Sequence, residues 1–94
     1  MKVLRIKEEI DLRELEKYGF EYSETLDSWF LKRGIDNGLG LLTYSCIHIH
    51  KDYREICCGM YINCNEYHDT VRDFELDKVI YRLTVAGMVE EVEV

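Results

Sequence analysis

Apolar and polar side chains alternate through residues 41–50 (LLTYSCIHIH) and again through 55–63 (EICCGMYIN), with the charged stretch KDYR at 51–54 between them. Alternation puts successive side chains on opposite faces of a strand, so the pattern predicts two strands joined by a hairpin turn. A turn at 51–54 pairs His50 with Glu55 and His48 with Cys57. One face of the hairpin then carries Ile47, Ile49, Ile56, Cys58, Met60 and Ile62. The other carries Tyr44, Cys46, His48, His50, Glu55, Cys57, Gly59 and Tyr61. A slip of one residue would set aliphatic side chains opposite polar ones, so the pattern itself selects this register.

The flanking segments add two helices. Asp11 precedes Leu12, with Glu14 three residues on, the spacing of a capping box. Leu12 and Leu15 share a face and Gly19 supplies a left-handed stop, which predicts a helix over 11–18. Over 75–86, Leu76, Val79, Ile80 and Leu83 recur at i, i+3, i+4 and i+7, and Gly87 follows; this predicts the second helix. Residues 2–7 read as a short strand or arm, and 20–28 alternate weakly before a turn. A strand is expected over 29–33 (WFLKR), a loop with a short strand near 67–72, and an extended segment over 88–94. The sum is one α+β domain over 1–94, an antiparallel sheet of three to five strands with two helices on one face. The expected order is (β)-α-β-β-β-α-(β). The aliphatic face should pack on Leu12, Leu15, Leu76, Val79, Ile80 and Leu83.

The register of 29–33 decides what the second face looks like. Asn37-Gly38 is a strong two-residue turn signal. A turn there pairs Leu31 with Tyr44 and Trp29 with Cys46, adding both to the second face beside Tyr44 and Tyr61. A seven-residue loop over 34–40 would instead send Trp29 and Leu31 to the aliphatic face. The turn chemistry favours the first arrangement. On it, Trp29, Leu31, Tyr44 and Tyr61 form an aromatic and apolar patch with no helix left to cover it. Such a patch marks an interface, and the expectation is a homodimer, or a complex with another protein, formed through this face.

Composition narrows the function classes. The 94 residues hold 19 acidic and 12 basic side chains, a formal charge of −7. That balance argues against a nucleic-acid binder, which draws affinity from Lys and Arg on phosphates. No apolar run reaches the roughly 18 residues of a membrane span, and the charged start MKVLRIKEE is not a secretory signal. The expected location is the cytoplasm, where Cys46, Cys57, Cys58 and Cys64 remain thiols.

One constellation could carry chemistry. Cys46, His48 and His50 fall at i, i+2 and i+4 on one strand face, with Cys57 across from His48. Thiolate and imidazole suit Zn²⁺, so the alternative function is a metal-binding or metal-sensing protein using these four. The bland reading is that Cys is a small strand-loving hydrophobe and that two alternating histidines arise by chance. A Cys57–His48 nucleophile pair would need an oxyanion hole and a helix N-terminus, and the sequence supplies neither. Glu8-Glu9 and Glu90-Glu91 read as solvated charge, His68-Asp69 lies in a loop, and Gly34, Gly38 and Gly40 lack the lysine and helix of a phosphate loop. The chain is therefore expected not to be an enzyme and to need no cofactor. Residues 66–94 carry eight acidic residues against three basic ones, a surface read first as ordinary solubility.

The stretches IDLRELEKYGF near the start and VIYRLTVAGMVEEVEV at the end resemble a loose group of short proteins of Gram-positive bacteria and their phages or prophages. The resemblance covers the two ends only and implies a cytoplasmic accessory protein without an activity. It carries nothing over to Cys46, His48 or Cys57. LTVAGMVEE is also similar to the end of a winged-helix recognition helix entering its wing, but Lys78 and Arg82 are all that helix would offer to DNA.

Overall fold

The structure is a computed structural model that describes residues 1–35, 43–62, 66–68 and 73–94. In chain order the elements are β1 (Lys2–Ile6), a 3-10 helix (Leu12–Tyr18), β2 (Glu21–Ser23), β3 (Ser28–Ile35), β4 (Thr43–His50), β5 (Ile56–Ile62), β6 (Glu66–His68), α1 (Phe74–Val85) and β7 (Val89–Glu93). Strands β2-β3-β4-β5-β6 form one antiparallel sheet in sequence order; β1 and β7 form a second antiparallel pair. The expected α+β fold is what the chain adopts, with more strands than the minimum expected and the first helix wound as 3-10. An Arg5–Glu55 bridge and a 2.9 Å hydrogen bond from the Ile6 amide to the Arg54 carbonyl join the sheets.

The same closing device ends both helices. Gly19 has φ 93°; its amide donates to the Glu16 carbonyl at 3.1 Å, and the Phe20 amide donates to Leu15 at 3.3 Å. Gly87 has φ 77°; its amide donates to Thr84 at 3.0 Å, and the Met88 amide donates to Leu83 at 3.1 Å. This pair of bonds is the Schellman closure, and it turns Phe20 and Met88 back into the core beside Leu15 and Leu83. At the first helix's start, Asp11 accepts from the Arg13 amide at 3.0 Å, as the sequence implies. Glu14 does not reach back to close a capping box; it pairs with Lys17 at 2.6 Å. Three-residue periodicity aligns Leu12 and Leu15 on one edge, both buried, which suits a 3-10 winding of this short segment.

The β4–β5 register matches the apolar pattern: His48 faces Cys57, Ile47 faces Cys58 and Ile49 faces Ile56. Ile47 and Ile49 are fully buried, in a core with Ile6, Leu12, Leu15, Phe20, Leu76, Leu83 and Met88, while Val79 and Ile80 pack at its margin. Both helices thus contribute to one core on one sheet face.

The β3 register corrects the sequence reading. Trp29 faces Ile49 and Leu31 faces Ile47, and the pairing ends at Ile35 with Thr43. The strands are therefore joined by seven residues, 36–42, and Asn37-Gly38 does not pair Trp29 with Cys46. The turn itself lies outside the described residues. The shift is an odd number of residues, so it moves every β3 side chain to the opposite face. Burial is the reason: Trp29 is only 7% exposed within the core, and Leu31 packs against it. Removing an indole from water outweighs the preference of one dipeptide for one turn.

Candidate interaction face

The correction redistributes the four residues expected to form an interface. Trp29 and Leu31 belong to the core, whereas Tyr44 and Tyr61 face each other on the far side of the sheet. The same shift brings Phe30 and Lys32 to that far side, opposite His48 and Cys46. The sequence reading missed both. Their signal was present, since Phe30 and Lys32 alternate with Trp29 and Leu31, but it could be used only once the register was known.

The far face has a layered build. Tyr44 stacks on Tyr61 with ring centroids 5.0 Å apart, and Phe30 stacks on His48 at 5.5 Å with rings 10° from parallel. Between these pairs the Lys32 ammonium lies 5.2 Å from the Tyr44 ring and 5.8 Å from the Phe30 ring, within cation–π range. Beneath them Cys46 has no exposed surface, and the facing Gly59 is buried. Phe30, Tyr44, His48, Cys57 and Tyr61 all remain half-exposed. Glu21 on β2 and Glu55 beside β5 stand exposed at the margin, and Lys32 on β3 is exposed between the ring pairs.

Of the four residues proposed to hold a metal, all lie on this face, but they do not converge. His48 is opposite Cys57, while Cys46 is opposite Gly59 and His48 is stacked on Phe30. His50 is engaged by the turn, its Nδ1 accepting from the Asp52 amide at 3.1 Å and its ring 4.7 Å from Tyr53. Among the described residues no three His, Cys, Asp or Glu side chains come together to hold an ion. Cys64 lies outside them.

Protonation follows from burial. Burial pushes the Cys46 thiol above its ordinary value, with Lys32 pulling the other way. Burial likewise raises Cys57, helped by the negative charge of Glu55. Burial lowers His48, and Glu55 offsets part of that. Near neutral pH the pair is a thiol beside a neutral imidazole. A poised cysteine nucleophile needs the reverse shift.

A second polar group was not legible in the sequence. Asp73 caps α1 by accepting from the Glu75 amide at 2.9 Å. It also accepts from the Ser45 hydroxyl at 2.5 Å and the Arg33 guanidinium at 2.8 Å. Ser45 and Arg33 face each other on the core side of the sheet, so this carboxylate ties the helix to the sheet. Burial would raise the Asp73 carboxyl, but the three donors outweigh it and hold it below the usual carboxylate range. The contact spans 28 residues in sequence, and no local pattern announces it.

Among the described residues no helix is long and apolar enough to cross a membrane. Comparison with family models, curated proteins and solved structures finds no match.

Proposed function

We propose that this chain is a small cytoplasmic interaction module, without catalysis of its own, that pairs with a second copy through the sheet face carrying Phe30, Tyr44, His48, Cys57 and Tyr61. One observation carries the reading: both helices pack on the opposite face, leaving a half-exposed aromatic layer with charged residues at its margin. Apolar centre and polar rim is the anatomy of a protein interface, and Tyr is enriched there. The dimensions of the face bound the contact. Five strands about 4.8 Å apart and an eight-residue central strand rising about 3.3 Å per residue give a face of roughly 20 by 25 Å. Its projected area of roughly 500 Å² is below the roughly 800 Å² per partner of a standard interface, which places the contact in the smaller, weaker class.

The test is sedimentation equilibrium across a dilution series, comparing the native chain with Tyr44→Lys. The native chain should associate at micromolar concentration. The variant, whose new charge would have to be desolvated, should remain monomeric with unchanged circular dichroism. A native chain that stays monomeric at several hundred micromolar contradicts the proposal.

A further inference from the structure

At the sheet edge where β2 begins and β3 runs on past it lies a cleft of about 390 Å³, lined from both sheet faces. This is within the roughly 300–1,000 Å³ of small-molecule sites. Its walls include Tyr22, Leu26, Phe30, Tyr44 and Tyr61, and among the described residues the charged ones lining it are Lys32 and Glu21.

Neither of those two charges is held in an ion pair among the described residues. Lys17, Lys51 and Lys78 each hold a carboxylate at 2.6, 3.5 and 3.0 Å. Lys32 has no carboxylate within 4 Å among the described residues, in a chain where acidic side chains outnumber basic ones 19 to 12. Its ammonium is held instead over two rings. Glu21 likewise has no basic partner within that distance among the described residues. Glu21 is paired across the strands with Phe30, so it and Lys32 are diagonal neighbours on one face, with Cα atoms about 7–8 Å apart. A lysine and a glutamate on neighbouring positions of one face, beside an aromatic wall, complement a ligand carrying a carboxylate and an ammonium on one carbon.

We propose that this cleft binds a free aromatic α-amino acid, with its carboxylate on Lys32, its ammonium on Glu21 and its ring against the aromatic wall. A simple anion would meet repulsion from Glu21, and a simple cation would meet repulsion from Lys32. Only the zwitterion satisfies both charges. Every group the inference uses belongs to one chain. Phe30, Tyr44 and Tyr61 also lie on the proposed dimer face, so phenylalanine and a second copy would compete, and the titration is run at a concentration where the chain is monomeric.

The molecule contains its own reporter. Trp29 is the single tryptophan, and its ring centroid lies 5.3 Å from that of Tyr22 in the cleft wall. L-Phenylalanine is transparent where tryptophan is selectively excited, so titration of the full chain can be followed by Trp29 emission. A saturable change is expected, with binding weakened roughly tenfold or more for 3-phenylpropionate and for phenethylamine, each lacking one charge. Lys32→Met and Glu21→Gln should each weaken phenylalanine binding to a similar degree, and Lys32→Arg should retain it. Variant circular dichroism should match the native spectrum. Absence of saturation up to roughly 10 mM phenylalanine overturns the assignment. So does equal affinity for phenylpropionate, or native affinity in Lys32→Met. Sedimentation of the ligand-free chain up to several hundred micromolar separates the two readings, since a chain that stays monomeric there yet binds phenylalanine refutes self-association and leaves the cleft assignment standing.

Discussion

Asp73 shows how much one side chain can fix. It caps α1, holds the Ser45 hydroxyl and pairs with Arg33, although its side chain is only 8% exposed. Asp73→Ala removes the cap and leaves Ser45 without its acceptor, so a loss of about 2–3 kcal/mol is expected in urea unfolding. Because its folded pKa is depressed, the carboxylate stabilises the fold above the ordinary Asp value of about 3.9 and stops doing so as pH falls through the folded value. Asp11 behaves in the same sense. Its hydrogen bonds from the Arg13 side chain and amide bring it down to about 2. The native chain should therefore lose part of its stability between about pH 4 and pH 2. Asp73→Asn should show a shallower loss over that window, and acid titrations followed by circular dichroism measure the difference. Arg54 is a different case. It adopts φ 61° at the end of the β4–β5 turn and donates to the carbonyls of Lys7 and Ile10, both at 2.8 Å. Arg54→Gly relieves the backbone and loses both bonds. The bonds should dominate, with a net loss of about 1 kcal/mol.

The elements were legible in proportion to how local their causes are. The hairpin at 43–62, the two helices and both glycine stops follow from periodicities and caps within a few residues of one another. The 3-10 winding did not, because capping chemistry is shared by both helix types and tertiary packing of Leu12 and Leu15 chooses between them. The β3 register was misjudged because Asn37-Gly38 is a local signal, whereas burial of Trp29 depends on elements elsewhere in the chain. The consequence reached the candidate site: Tyr44 and Tyr61 were placed correctly, Trp29 and Leu31 on the wrong face, and Phe30 and Lys32 overlooked. Two substitutions check this account. Trp29→Ala should cost about 3–5 kcal/mol if the indole is a core group, and much less if it lies on an exposed face. Gly87→Ala should cost about 1–2 kcal/mol, because its methyl meets open space and only the φ of 77° opposes it. Both values come from denaturant midpoints at constant slope.

At the scale of the whole molecule, the fold separates two duties. One sheet face is consumed by the core, and the other presents rings with charges at the rim. A chain of charge −7 repels its own copy, so self-association driven by the aromatic face should strengthen as salt screens that repulsion. Sedimentation at about 0.05 and 0.5 M salt should show the apparent Kd falling; a rise would point to an interface built on ion pairs. The most direct measurement uses Cys57 and Cys58, neighbours in sequence whose side chains point to opposite faces. Thiol alkylation resolved by peptide mass spectrometry reads both in the same molecule. If the far face joins two copies, alkylation of Cys57 should slow as protein concentration is raised through the association range, while Cys58 keeps its rate. Cys57 labelling that is unchanged across that range would show the far face open at every concentration and would contradict the account.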